Sequence, residues 1–183
     1  MRIFKNIFSQ LHRWILWALI SAVFWGWIFQ LVTNTTPAHK IVLYASVESC
    51  EDKALALALE EDRPEGIKMI KVHPFSYAMF DDGELLSADL YVVSAAEVEE
   101  YRSSFAAMEE GSWDWGDREL YRLDGQILGV KIYDAATGEG AAKSYLGYAP
   151  DTDYYLFFNV ASLHLGDGDG AALRVAEHLL KLP

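Results

Sequence analysis

Cys50 is the only cysteine in these 183 residues, and it falls where a strand gives way to a helix. A thiol near a helix N-terminus can have a lowered pKa and act as a nucleophile, but it then needs a base. The histidines, His12, His39, His73, His164 and His178, are scattered, and no spacing pairs any of them with Cys50. Hydrolase and peptidase signatures are absent. A small capping or buried cysteine is the plainer reading, and no catalytic residue is assigned. Asp167 and Asp169, set among glycines, faintly resemble a calcium loop but lack the distal glutamate at the required spacing. A turn with an N-cap aspartate accounts for them, so neither metal nor cofactor is expected. Trp113 and Trp115 share a Gly/Asp-rich loop and can dock a sugar or a partner protein.

Other polar residues gain meaning only from the elements that hold them. Lys40–Ala45 (KIVLYA) reads as a buried strand. A helix from Glu51 to about Glu61 carries Leu55, Ala58 and Leu59 at helical spacing, and Ser46 or Ser49 can cap it. Ile67–Val72 is a second strand and Asp89–Ser94 a third, followed by a helix over Ala95–Phe105. Leu120–Leu123 and Gln126–Tyr133 form a hairpin around Asp124-Gly125. Ala141–Leu146 fits one or two helical turns, Tyr154–Val160 a covered strand, and Ala171–Leu182 a closing amphipathic helix.

Strands alternating with helices imply a three-layer α/β domain with a mainly parallel sheet. In such a sheet ligands sit beyond the carboxyl ends of the strands. That places Ser46, Glu48 and Ser49 after the first strand, Phe75, Ser76 and Tyr77 after the second, and Ser94 and Glu97 after the third. Asp134 joins them if the strand before it ends on the same side. Such a rim of hydroxyls, rings and helix N-termini suits a small polar solute or a peptide.

The N-terminal part is of another kind. Trp14 to Val32 contains no charge and, at about 1.5 Å per residue, spans about 28 Å, which predicts a transmembrane helix over 14–32 contacting the lipid bilayer. Arg2, Lys5 and Arg13 precede it, so the positive-inside rule expects a cytoplasmic segment at 1–13, a linker at 33–39 and an extracytoplasmic domain at 40–183 of a single-pass cell-membrane protein. A cleaved signal peptide fits less well, because the apolar run exceeds the usual length and Thr35-Thr36-Pro37-Ala38 is a poor cleavage site. All 27 acidic residues lie beyond Val32 with 12 of the 15 basic ones, a net charge of 12 − 27 = −15. Such a surface argues against nucleic acid as a partner.

Four segments resemble one lobe of a type 2 extracellular solute-binding protein, the kind that serves a bacterial ABC importer. Lys40–Ala45 with the helix after it resembles the opening strand and helix, and Ser87–Ser94 the strand that ends the parallel run. Tyr121–Val130 (YRLDGQILGV) resembles the hairpin leading to the hinge strand, and Tyr155–Asn159 with Ala171–Leu182 the returning strand and helix. The resemblance implies a binding module for a small solute, a peptide or a membrane-protein partner. The sequence departs from that family between Tyr133 and Tyr154, where only about twenty residues stand in place of a second lobe. Two other readings remain: a structural or assembly subunit of a membrane complex, and an enzyme using Cys50 or the carboxylates Glu48 and Glu97.

Overall fold

The structure is a computed structural model, and it describes residues 2–33, 35–74, 88–109, 111, 116–166 and 170–183, with the backbone alone over 2–10, 12 and 30–33. The chain divides into two compact units at Thr36/Pro37. The first contains one helix, α1, Arg2–Thr33. The expectation of a transmembrane helix over 14–32 is corrected here: among the described residues no helix is long and apolar enough to cross a membrane.

The second unit contains β1 (Lys40–Ala45), β2 (Ser49–Cys50), α2 (Asp52–Glu60), β3 (Met69–Pro74), β4 (Leu90–Ser94), α3 (Val98–Tyr101), β5 (Leu120–Leu123), β6 (Gln126–Asp134), β7 (Glu139–Gly140), β8 (Leu146–Gly147), β9 (Tyr154–Phe158) and α4 (Ala171–Lys181). Its main sheet has the order β3-β1-β4-β9-β6-β5, with β7 beside the end of β6.

The sheet is mixed, which corrects the expectation of a mainly parallel one. β1 pairs in parallel with β3 and β4, whereas β9 lies antiparallel between β4 and β6, and β5 is antiparallel to β6. The cause is the short link from β6 to β9. A parallel return must cross the full length of the sheet, usually by a helix. Residues 135–153 contain no helix, so the chain re-enters at the end it left and β9 runs back. The four strands β3, β1, β4 and β6 nevertheless point the same way.

Two apolar layers cover the sheet. On one face, Leu55 and Leu59 of α2 and Val175, Ala176 and Leu179 of α4 pack on Ile41, Leu43, Leu90, Val92, Val130, Ile132 and Leu156. On the other, Val98 and Tyr101 of α3 and Phe105 pack on Val42, Tyr44, Tyr91, Val93, Leu128 and Phe157. The helix expected over Ala95–Phe105 is shorter than the sequence implies, one α turn followed by a 3-10 turn, Arg102–Ser104. Phe105 leaves the helix to stack on Phe157, with ring centroids 4.0 Å apart and planes within 7°.

The Asp124-Gly125 hairpin forms as expected, both residues having positive φ, 50° and 80°, as the favoured two-residue turn requires. Gly129 is needed for closeness: a Cβ there would lie 2.5 Å from the Leu156 carbonyl oxygen and 2.6 Å from the Phe157 ring.

Candidate functional site

Because β1, β3, β4 and β6 run in one direction, their carboxyl ends form a common rim, and β9 starts from it. After β1, the Ser46 amide donates to Val92 O at 2.7 Å, which holds the β1 and β4 exits together. The Ser46 hydroxyl lies 3.0 Å from both Glu97 oxygens, and Ser94 Oγ donates to Glu97 Oε2 at 2.6 Å. The structure thus brings together Ser46, Ser94 and Glu97, three of the residues expected at the rim, but as a closed set. The carboxylate takes both hydroxyl protons that a ligand would otherwise meet.

The link from β6 to β9 closes more of the rim. Where one or two helical turns were expected, 141–147 make a turn ending in β8, which pairs antiparallel with β2 (Ser49 opposite Gly147, Cys50 opposite Leu146). Glu48 N donates to Gly147 O and Glu51 N to Tyr145 O, each at 2.9 Å. Ser49 therefore lies in a strand, not at a helix cap, and α2 has no side-chain cap. The fit is tight, since a Cβ on Gly147 would overlap Ser49 Oγ. Behind this strap Tyr148 stacks on Tyr133, centroids 4.6 Å apart, and donates to Ala141 O at 2.8 Å.

Glu48 stays exposed at the edge of the rim. Burial raises the Tyr154 pKa, and after the opposing Ala149 amide the nearby Glu48, Glu97 and Asp151 raise it further. The margin around Tyr154 is therefore acidic.

Asp134 lies at the rim as expected, at the centre of a cluster the sequence reading missed. Its Oδ1 accepts the amides of Ala136 (2.8 Å) and Thr137 (3.1 Å), and its Oδ2 lies 3.3 Å from Lys131 Nζ. These bonds, Thr137's first, hold its pKa below the usual value. Lys131 Nζ also meets Glu119 at 2.7 Å and Asp153 at 2.9 Å. Burial acts to lower the lysine's pKa, but hydrogen bonds to Glu119, Asp153 and Asp134 override it and the net shift is upward. Asp153 Oδ1 accepts Ala135 N, and Asp153 O accepts Ala95 N, both at 2.8 Å, so one residue ties the starts of two loops to the ammonium. The only sequence signal was a lysine inside the otherwise apolar 127–133.

Beside this cluster an open groove of about 750 Å³ runs between the approach to β5 and the β6–β7 turn. Arg118 and Glu119 form part of one wall, Thr137, Gly138 and Lys143 part of the other, with Lys131 and Tyr133 below.

Burial, then Asp52 and Glu51, push the Cys50 thiol up to about 11, the opposite of an activated nucleophile. The rings of His39, His164 and His178 hydrogen-bond the carbonyls of Gly66, Pro37 and Ala58, so these serve as structural braces. Among the described residues no three His, Cys, Asp or Glu side chains group to hold a metal. Phe75, Ser76 and Tyr77 of the expected rim, Trp113 and Trp115 of the expected partner loop, and Asp167 and Asp169 lie outside the described residues. The chain matches no family model and no curated protein.

Proposed function

We propose that residues 37–183 are a binding module, built like a single lobe of a solute-binding protein, that recognises peptide rather than a free solute enclosed between lobes. One observation carries the reading: the link 135–153, which stands where a second lobe would emerge, folds back as a strap on β2 and on Glu51 at the start of α2. The strap takes up Glu48 N and Glu51 N, and Glu97 takes up the Ser46 and Ser94 hydroxyls. Among the described residues these donors, which would grip a small solute at the strand ends, are thus already satisfied, and a solute offering no better partners gains little from them. An extended ligand lying across an open face needs no closing lobe. The placement of β9 between β4 and the hinge-like β6 agrees with the single-lobe architecture.

The test is thermal unfolding of the full chain against free sugars, free amino acids and a set of short peptides. Ligand at a hundred times its dissociation constant adds about 2.7 kcal/mol, a shift of several degrees for a unit of this size. The expected result is a shift with peptides, weakened when the exposed rim acids are reversed by Glu48→Arg with Asp151→Arg, and none with sugars. A sugar shift as large as any peptide's, or a flat response to every peptide, overturns the reading.

A further inference from the structure

We infer that the groove between the approach to β5 and the β6–β7 turn binds short zwitterionic peptides of about two to four residues through their charged ends. The inference rests on the reading of the unit as a peptide-binding module and gives it a subsite.

The charged groups around the groove differ in how far they are already spent. Lys131 and Asp134 are not available to a ligand: the ammonium has three carboxylate partners, and Asp134 takes two amides and the lysine. The groups around them differ. Arg118 uses one NH2 hydrogen bond, to Leu180 O at 2.8 Å, out of the five N–H donors a guanidinium carries. Lys143, on an exposed turn, makes a single bond, to Gly138 O at 2.7 Å. Among the described residues the side-chain carboxylates of Asp117 and Glu139, both lining the groove, have no hydrogen-bond or ion-pair partner, whereas Glu119 is held by Lys131 at 2.7 Å. Thr137 Oγ1 accepts the Glu139 amide at 3.2 Å, which leaves its O–H to donate.

Uncommitted cations and uncommitted carboxylates therefore line one groove. A ligand of a single charge sign meets repulsion from half of them. Phosphate-rich ligands face four carboxylates, and a sugar finds no open aromatic face, because Tyr133 is 7 % exposed and stacked on Tyr148. A zwitterion meets both needs: its carboxylate at Arg118 and Lys143, its ammonium at Asp117 and Glu139, and a peptide carbonyl at Thr137. A volume of about 750 Å³ lies within the usual range for small-ligand sites and leaves room beyond one amino acid.

The experiment is calorimetric titration of the full chain with trialanine, and with trialanine acetylated at the N-terminus and amidated at the C-terminus. The free tripeptide is expected to bind and the capped one not. Arg118→Gln and Lys143→Gln are each expected to weaken binding tenfold or more. Arg118 also braces the end of α4, so Lys143→Gln carries the test where Arg118→Gln loses the fold. Equal binding of the capped peptide, or unchanged binding in both variants, overturns the groove assignment. If the variants bind normally while Glu48→Arg with Asp151→Arg abolishes binding, the groove falls and the peptide-binding module stands. If neither tripeptides nor longer peptides bind, both fall.

Discussion

Lys131→Met tests whether the charge cluster at the end of β6 holds the rim together. The lysine side chain is 11 % exposed, and its two shortest contacts are Glu119 at 2.7 Å and Asp153 at 2.9 Å. At an effective dielectric of about 20, each such contact is worth about 6 kcal/mol before desolvation is charged against it. Removing the ammonium from water costs several kcal/mol, and Glu119 and Asp153, 62 % and 29 % exposed, are partly screened. Methionine keeps the packing of the stem but leaves converging carboxylates without a cation. The expected net loss is about 2 kcal/mol, or about 4–8 °C in Tm for a unit of this size. Urea and thermal unfolding at neutral pH measure it.

The pH dependence of that loss follows from the two shifts. Lys131's folded pKa is raised above its ordinary 10.5, so its contribution is complete below that value and is lost only as pH rises through the folded pKa. Asp134's is lowered from 3.8, so its contribution is present above 3.8 and is lost as pH falls through the folded value. The gap between wild type and Lys131→Met should therefore hold from pH 5 to 9 and narrow below pH 3. A variant within 0.5 kcal/mol of wild type at pH 7, or a gap that persists in acid, refutes this account of the cluster.

Three further outcomes are expected. Asp89, 3 % exposed, has a pKa raised by burial against the opposing bonds from Ser162 and Val42 N, so the stabilisation this shift brings is full below 3.8 and lost as pH rises through the folded value. Asp89→Asn should gain stability relative to wild type between pH 4 and 7; parallel urea-midpoint profiles would contradict this. Gly129→Ala forces a Cβ onto the Leu156 carbonyl and the Phe157 ring, and overpacking of that kind should cost about 2–3 kcal/mol by urea unfolding, with a neutral result showing that β6 and β9 can separate cheaply. Cys50, with its thiol pushed from 9.0 to about 11, should react with iodoacetamide at pH 7.5 about a hundredfold more slowly in the native chain than in the urea-unfolded chain; equal rates would revive it as a nucleophile.

Local patterns were enough for several elements. Asp124-Gly125 specifies its turn because both residues tolerate positive φ, and the continuous apolar run from Tyr154 specifies a strand covered on both faces. The helix over Ala171–Lys181 follows from its apolar spacing, and Ser46, Ser94 and Glu97 were placed at one rim from strand order alone. The extent of the second helix was not legible. Val98, Tyr101 and Phe105 have helical spacing, but the gain from stacking Phe105 on Phe157 ends the helix after one turn. The apolar N-terminal run predicts a membrane span, whereas among the described residues no helix is long and apolar enough to cross a membrane.

What only the tertiary structure decided is the direction of β9 and, with it, the character of the site. Strand direction depends on which end of the sheet the chain re-enters, and hydrophobic pattern is the same read either way. Once β9 returns from the rim, residues 135–153 must lie across it as a strap, and Lys131 must face Glu119 and Asp153, twelve residues before it and twenty-two after. Contacts of that range leave no periodic trace in a single sequence. Composition and spacing determined the elements and the acidic surface; the closing of the rim and the opening of the groove beside it belong to the fold.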